Sequence, residues 1–211
     1  MENVEKLVDF FIEIEALKKT FRYSTLPENV RDSSADHSWK LAFMSSILDG
    51  EITGINSYRA VQICLVHDLA EAVTGDIDSY RILQGEITKE QKHKMEEEVV
   101  RSIKNKIPSV GNLIYNLWKE FEDNTTPEAR YAHAMDKIEA LIHLLHVRCI
   151  AREDNEQAGL TAKYADNAVK EFPQLQPLLD NIKLRLKKNS KSRVFNGSPI
   201  MTSLLKISFL K

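Results

Sequence analysis

In the stretch CLVHDLAEAVTGDIDS, residues 64–79, an apolar run ends in His67 and Asp68, and Glu71 follows. If this segment is helical, Glu71 stands four residues after His67 and three after Asp68, and such spacings share one helix face. An imidazole and two carboxylates then crowd one patch at the end of an apolar segment. Burying that much charge without compensation costs several kcal/mol. A bound divalent cation is the obvious compensation. Gly75 breaks the pattern, and Asp76 and Asp78 sit on the loop beyond it.

A metal site needs ligands from elsewhere in the chain. SADHSW offers His37 at the start of a helix. YAHAMDKIEALIHLL offers Asp136, flanked by Ala132, Met135 and Ile138. A carboxylate in such apolar company needs a partner. His37, His67, Asp68 and Asp136 make a mixed nitrogen and oxygen set. It suits one divalent ion, Mn²⁺, Co²⁺, Fe²⁺, Ni²⁺ or Zn²⁺, with Mg²⁺ admitted, and leaves positions open for water and substrate. His143, two helical turns after Asp136, is read as a hydrogen-bonded core or pocket-wall histidine, with a role behind the metal ligands or on the substrate as the alternative. Trp39 and Trp118 are read as core.

The elements that position these residues are helical throughout. Glycines number 7, and helical periodicity recurs from end to end. Val4, Leu7, Val8, Phe11, Ile14 and Leu17 form a stripe in the first helix. Residues 20–34 lose the period and contain Pro27, so they form a loop. Ser34 or Asp36 caps the second helix, and Ser57 the third, which leads to His67. Thr88 and Gln91 form a capping-box pattern for a Lys- and Glu-rich helix whose run KHKMEEE reads as a solvated face. Pro127, behind Thr126 as N-cap, opens the long helix that carries Asp136.

The sequence has 211 residues, 43% hydrophobic and 28% charged, which fits one globular domain over 1–188. Residues 189–211 change character, with a basic cluster followed by an apolar stretch, and read as a tail that packs on the domain or on a partner. A net charge of −2 offers no broad basic surface for nucleic acid. No apolar run reaches the roughly 18 residues a membrane span needs. Cys64 and Cys149 read as buried thiols in a reducing compartment, so a cytoplasmic location is expected. The first-helix stripe and the apolar tail point to a homodimer.

The order His37, His67-Asp68, Asp136, together with the segments SADHSW, VHDLAEAVTGDI, LWKEFE and AMDKIEAL, resembles the HD-domain metal-dependent phosphohydrolases. Within them it resembles the subfamily that includes the bacterial 5′-deoxynucleotidases. The resemblance covers roughly residues 2–186. It implies an all-α bundle with a central metal held by His37, His67, Asp68 and Asp136. It further implies that Glu71 activates water, that Asp76 contacts the sugar 3′-hydroxyl, and that Arg22 faces the phosphate. In the deoxynucleotidases a Trp follows that Arg and helps exclude ribonucleotides; Tyr23 stands here, which leaves the strictness for deoxyribose open. The chemistry agrees with the residues: phosphomonoester hydrolysis is very slow uncatalysed, and a metal, a general base and a cation for the phosphate address that barrier. The expected substrate is therefore a (deoxy)nucleoside 5′-monophosphate. Alternatives are an HD phosphohydrolase for a nucleoside triphosphate or an alarmone, and a non-catalytic nucleotide-binding module.

Overall fold

The computed structural model describes residues 4–23, 28–77, 81–82, 85–147 and 163–193. Among the described residues there is no strand, only an isolated antiparallel bridge between Phe21 and Ser33. The α-helices are α1 (Val4–Glu13), α2 (Ser34–Ile47), α3 (Ser57–Val66), α4 (Glu71–Thr74), α5 (Lys89–Lys106), α6 (Pro108–Asp123), α7 (Pro127–His146), α8 (Asp166–Val169) and α9 (Gln176–Arg193). The all-α expectation holds. Cys149, Asp78 and the apolar part of the tail lie outside the described residues.

Helix α7 is the axis of the bundle. Pro127 occupies its first turn behind a Thr126 cap whose hydroxyl accepts from the Ala129 amide. Most of its faces are buried, because α2, α3, α6, α8 and α9 all pack around it. Leu41, Ile63, Leu117, Met135, Ile138 and Leu141 form the centre of the core, each worth about 1.5–3 kcal/mol on burial. A second layer, α5 against α6, is allowed to close by Gly111. A Cβ there would stand 2.5 Å from the Lys104 backbone.

Several local expectations are corrected. The cap of α2 is Ser33, not Ser34 or Asp36 alone: Ser33 and Asp36 form a reciprocal capping box, which frees Ser34 to turn inward. Asn56, not Ser57, caps α3. In the first helix the inward residues are Leu7, Phe10, Ile14 and Leu17, while Val4, Val8 and Phe11 face solvent. The chain tightens to a 3-10 helix over Ile14–Lys19, which rotates the stripe away from a pure α period. Trp39 is not core; it is 65% exposed and stacks on Phe43 one turn later. Trp118 is buried as expected.

Candidate metal centre and active site

Four segments meet at one cavity. The α-helical ladder of α3 stops at Val66, and His67 and Asp68 lie in a tight turn that continues into α4. Its amides reach back three residues, Leu69 to Val66 and Glu71 to Asp68. His67, Asp68 and Glu71 therefore still share one side, but on a tighter coil than a regular α-helix. The first turn of α2 supplies His37 and Ser34, and the middle of α7 supplies Asp136. The loop after the 3-10 helix supplies Arg22, tied to the start of α2 by Arg22 N–H donating to Asp32 O at 2.9 Å and Ser34 N–H donating to Thr20 O at 2.8 Å.

The ring nitrogens of both histidines are oriented by their far sides. His67 Nδ1 lies 2.9 Å from the carbonyl of Cys64, which can only accept, so Nδ1 carries the proton. His37 Nδ1 lies 2.5 Å from Glu139 Oε2. Glu139 is held at its other oxygen by Lys40 at 2.8 Å. Burial works against the Glu139 charge, but His37 and Lys40 outweigh it and lower its pKa to about 2. Both imidazoles thus turn Nε2 toward the cavity, and both Nε2 atoms are buried without a hydrogen-bond partner. Such partners behind a ligating histidine are the usual device for fixing its tautomer.

Those nitrogens converge with carboxylates. His37 Nε2 is 3.1 Å from Asp136 Oδ1, and His67 Nε2 is 3.1 Å from Asp68 Oδ2. Neither contact has hydrogen-bond alignment. Two ligand atoms about 2.1 Å from one cation, at right angles, stand about 3 Å apart. His37, His67 and Asp136 present donor atoms within 4.8 Å of one another. Asp68 stands at the rim of this group, with Oδ2 3.8 Å from His37 Nε2. The residues present fit a divalent cation. A second grouping, Asp32, His37 and Glu139, does not serve as a ligand set. Its 2.5 Å contact is a hydrogen bond that leaves no room for an ion between the two atoms.

Arg22 shares the carboxylates. Its Nη1 donates to Asp68 at 2.7 Å and Nη2 lies 3.9 Å from Asp136. Burial opposes the charge on Asp68, yet His67, Arg22 and His37 hold its carboxyl well below the usual range. Asp136 is lowered likewise, burial being outweighed by His37 and Arg22. His37 is pushed toward neutrality by burial and by Arg22, but the neighbouring carboxylates of Asp136 and Glu139 prevail and raise its pKa to about 9. A cation at Nε2 competes with that proton.

Glu71 is buried and accepts a hydrogen bond from Ser34 Oγ at 2.5 Å. Burial, with Asp68 and Asp76 nearby, raises its pKa well above the ordinary value despite Arg22 and Lys92. Gly75, at φ +70°, turns the chain after α4 and brings Asp76 to the cavity wall. Tyr23 lies beside Arg22 on that wall with φ +57°, a left-handed backbone uncommon for a bulky residue. Its ring stacks on His143 with centroids 5.0 Å apart. His143 in turn bonds the Val30 carbonyl at 3.1 Å and is buried behind Tyr23, off the cavity wall. His133 bonds the Phe121 carbonyl at 2.9 Å.

The cavity, about 220 Å³, is lined by all the expected site residues except His37, which lies under its floor. Four residues in or behind the cavity, Lys92, Glu96, Glu139 and Ser34, are not among the expected site residues. Lys92 and Glu96, from the run read as a solvated face, turn inward. They lie one turn apart on a stripe continued by the buried Val100 and Ile103, and that stripe is the signal that finds them. Glu139 was open to the same argument as Asp136, a carboxylate amid Ile138, Ala140 and Leu141. Ser34 leaves no signal in the sequence.

The family described as "HD domain" matches residues 14–191. The chain belongs to the HD domain family. This HD domain protein is 31% identical over 143 residues to human "5′-deoxynucleotidase HDDC2", a match that spans 66% of this chain and 67% of the human one. It is 32% identical over 145 residues to the fission yeast "5′-deoxynucleotidase hdd1", spanning 65% and 70% of the two chains. Among solved structures, a "Predicted metal-dependent phosphohydrolase" from Magnetospirillum magnetotacticum MS-1 shares the fold. Its TM-score is 0.65 at 22% identity, over 89% of this chain and 95% of that one.

Proposed function

We propose that this HD domain protein is a metal-dependent 5′-nucleotidase that hydrolyses nucleoside 5′-monophosphates, deoxyribonucleotides in preference, to nucleoside and phosphate. The observation that carries the reading is the pair of oriented, unpartnered Nε2 atoms of His37 and His67, set among Asp68 and Asp136 beside a buried Glu71. The names of its relatives support it.

His37, His67, Asp68 and Asp136 would hold the cation. When bound there it supplies Lewis acidity to a phosphoryl oxygen and lowers the pKa of a water. Glu71 takes the proton from the attacking water at its Oε atoms; its raised affinity for a proton suits that task. Ser34 steers the carboxylate by donating to one oxygen. Arg22, already pinned by Asp68, offers its remaining N–H groups to the phosphate. Asp76 accepts from the sugar 3′-hydroxyl, and Tyr23 closes the wall beside the ribose. The water oxygen bonds to phosphorus as the bond to the nucleoside 5′-oxygen breaks; that oxygen leaves as a hydroxyl with a proton from solvent, and Glu71 returns its own proton to solvent.

The charge on the lining favours a monophosphate over a triphosphate. Asp68, Glu71, Asp76, Glu96, Glu122 and Asp136 face Arg22 and Lys92. Arg31, Arg81 and Lys137 are not on the wall among the described residues. A triphosphate would meet more like charge than these cations and one metal offset. A panel of nucleoside mono-, di- and triphosphates with Mn²⁺, Co²⁺ or Mg²⁺, read as released phosphate, tests the reading. Turnover confined to monophosphates and dependent on metal supports it; release from triphosphates alone contradicts it.

The exposed Val4, Val8, Phe11 and Ile12 of α1 support a homodimer. A light-scattering mass of one chain at micromolar concentration would speak against that. No helix among the described residues is long and apolar enough to cross a membrane, and a cytoplasmic location remains part of the proposal.

A further inference from the structure

The α5 wall of the cavity carries a lysine that none of the ligand-bearing segments uses. Lysine ordinarily extends its ammonium to water, as Lys89 and Lys94 of the same helix do. Lys92 instead lies on the inward stripe. Its side chain is 27% exposed, and that of Glu96, one turn on, is 8% exposed. Val100 and Ile103 anchor this stripe in the core, so packing fixes which face of α5 turns inward. The Lys92 Nζ to Glu96 Oε1 separation is 3.5 Å, long for an ion pair that saturates a three-donor ammonium. Lys92 also feels Glu71, Asp68 and Asp76, which together with Glu96 stabilise its charge against burial.

The charge balance of the site gives this lysine a task. The lining carboxylates Asp68, Glu71, Asp76, Glu96, Glu122 and Asp136 outnumber Arg22 and Lys92, and Asp68 already engages Arg22 at 2.7 Å. A phosphomonoester brings about −1.5 to −2 more charge. Of the two lining cations among the described residues, Arg22 is bonded to the ligand carboxylate Asp68, and Lys92 pairs with Glu96, which is not a ligand. Its neighbour Glu96, which burial raises to a pKa of about 7 even against Lys92, gives up part of its claim on the ammonium near neutral pH.

We propose that Lys92 is a second phosphate-binding residue, whose ammonium, bordered by Glu96 on the cavity wall, meets the substrate's phosphoryl oxygens alongside Arg22. The assignment rests on the nucleotidase reading above. Its test is calorimetric titration of inorganic phosphate into the Mn²⁺-loaded protein, beside kcat/KM for a deoxynucleoside monophosphate. Lys92→Met weakens phosphate binding about ten- to hundredfold, the loss expected for one charge-assisted hydrogen bond. Metal content stays unchanged, and Lys92→Arg recovers most of the affinity. Because Lys92→Met leaves Glu96 buried beside an apolar chain, the double variant Lys92→Met/Glu96→Gln is measured with it, and decides if the single variant does not fold. Phosphate affinity within twofold of wild type in the folded variant overturns the assignment. So does a shifted pH profile with unaltered phosphate affinity, which makes Lys92 a positioning residue for Glu71. A wild-type protein that hydrolyses no monophosphate would instead overturn the nucleotidase reading, and the phosphate affinities would still decide Lys92.

Discussion

His37 Nδ1 and Glu139 Oε2 stand 2.5 Å apart with both side chains fully buried, and Lys40 holds the other oxygen of Glu139. An ionised Glu139 can only accept, so it commits the Nδ1 proton and leaves Nε2 as the donor atom facing Asp136. Glu139→Gln keeps the shape but can present its amide N–H₂ to Nδ1 and permit the other tautomer. Metal affinity is expected to fall about 10–100-fold, the usual cost of losing such a partner. Titration of Mn²⁺ into wild type and variant measures it; equal affinities would show that the contact does not orient the ligand.

Glu96 gives the protein a pH signature. Burial raises its pKa from 4.5 to about 7 in the folded chain. A folded-state pKa above the unfolded one means stability that is fully present below 4.5 and lost as pH rises through 7. With a chelator present, wild type should lose on the order of 1–3 kcal/mol relative to Glu96→Gln across that window, and nothing further above it. Thermal melts of both proteins at intervals from pH 4.5 to 8 read the difference. Parallel curves would mean that Glu96 titrates normally.

Arg22 is expected to act on substrate and not as a support for the metal. Arg22→Ala should reduce kcat/KM for monophosphates about 10–100-fold, while metal binds at least as tightly, since Asp68 and Asp136 lose a competing cation. Arg22→Lys should restore only part, because an ammonium lacks the planar fork. Kinetics and metal content for the two variants check this. Unchanged kinetics for Arg22→Ala would place the phosphate elsewhere.

The ligand residues were legible because a histidine or aspartate inside an apolar helix has few ways to be satisfied, and the spacing of His67, Asp68 and Glu71 survives even where the helix tightens into a turn. Helix α7 and its Thr126 cap were legible for the same local reasons. The inward turn of Lys92 and Glu96 was hidden, because a run of charges reads alike whichever side faces the core until Val100 and Ile103 are used to fix the phase. Trp39 misleads in the opposite direction. With Phe43 and Ile47 it forms a helical-period stripe that looks like core, yet α3 and α7 pack on the other face, where Leu41 and Ala42 lie. The left-handed backbone of Tyr23 has no local sequence cause; it directly follows the Arg22–Asp32 and Phe21–Ser33 contacts.

Asp136, partly exposed, and Glu71, buried, are carboxylates at one cavity with different work. Asp136, from the middle of α7, completes the metal set, so Asp136→Ala should lose the metal, its thermal stabilisation and activity together. Glu71, bonded to Ser34 and not to a ligand nitrogen, handles the proton of water. Glu71→Ala should keep the metal and lose about 10²–10⁴-fold in kcat. Elemental analysis of both purified variants, beside kcat on a deoxynucleoside monophosphate, is the direct measurement. Metal absent from Asp136→Ala and present in an inactive Glu71→Ala is the predicted result; metal retained by Asp136→Ala and lost from Glu71→Ala would contradict it.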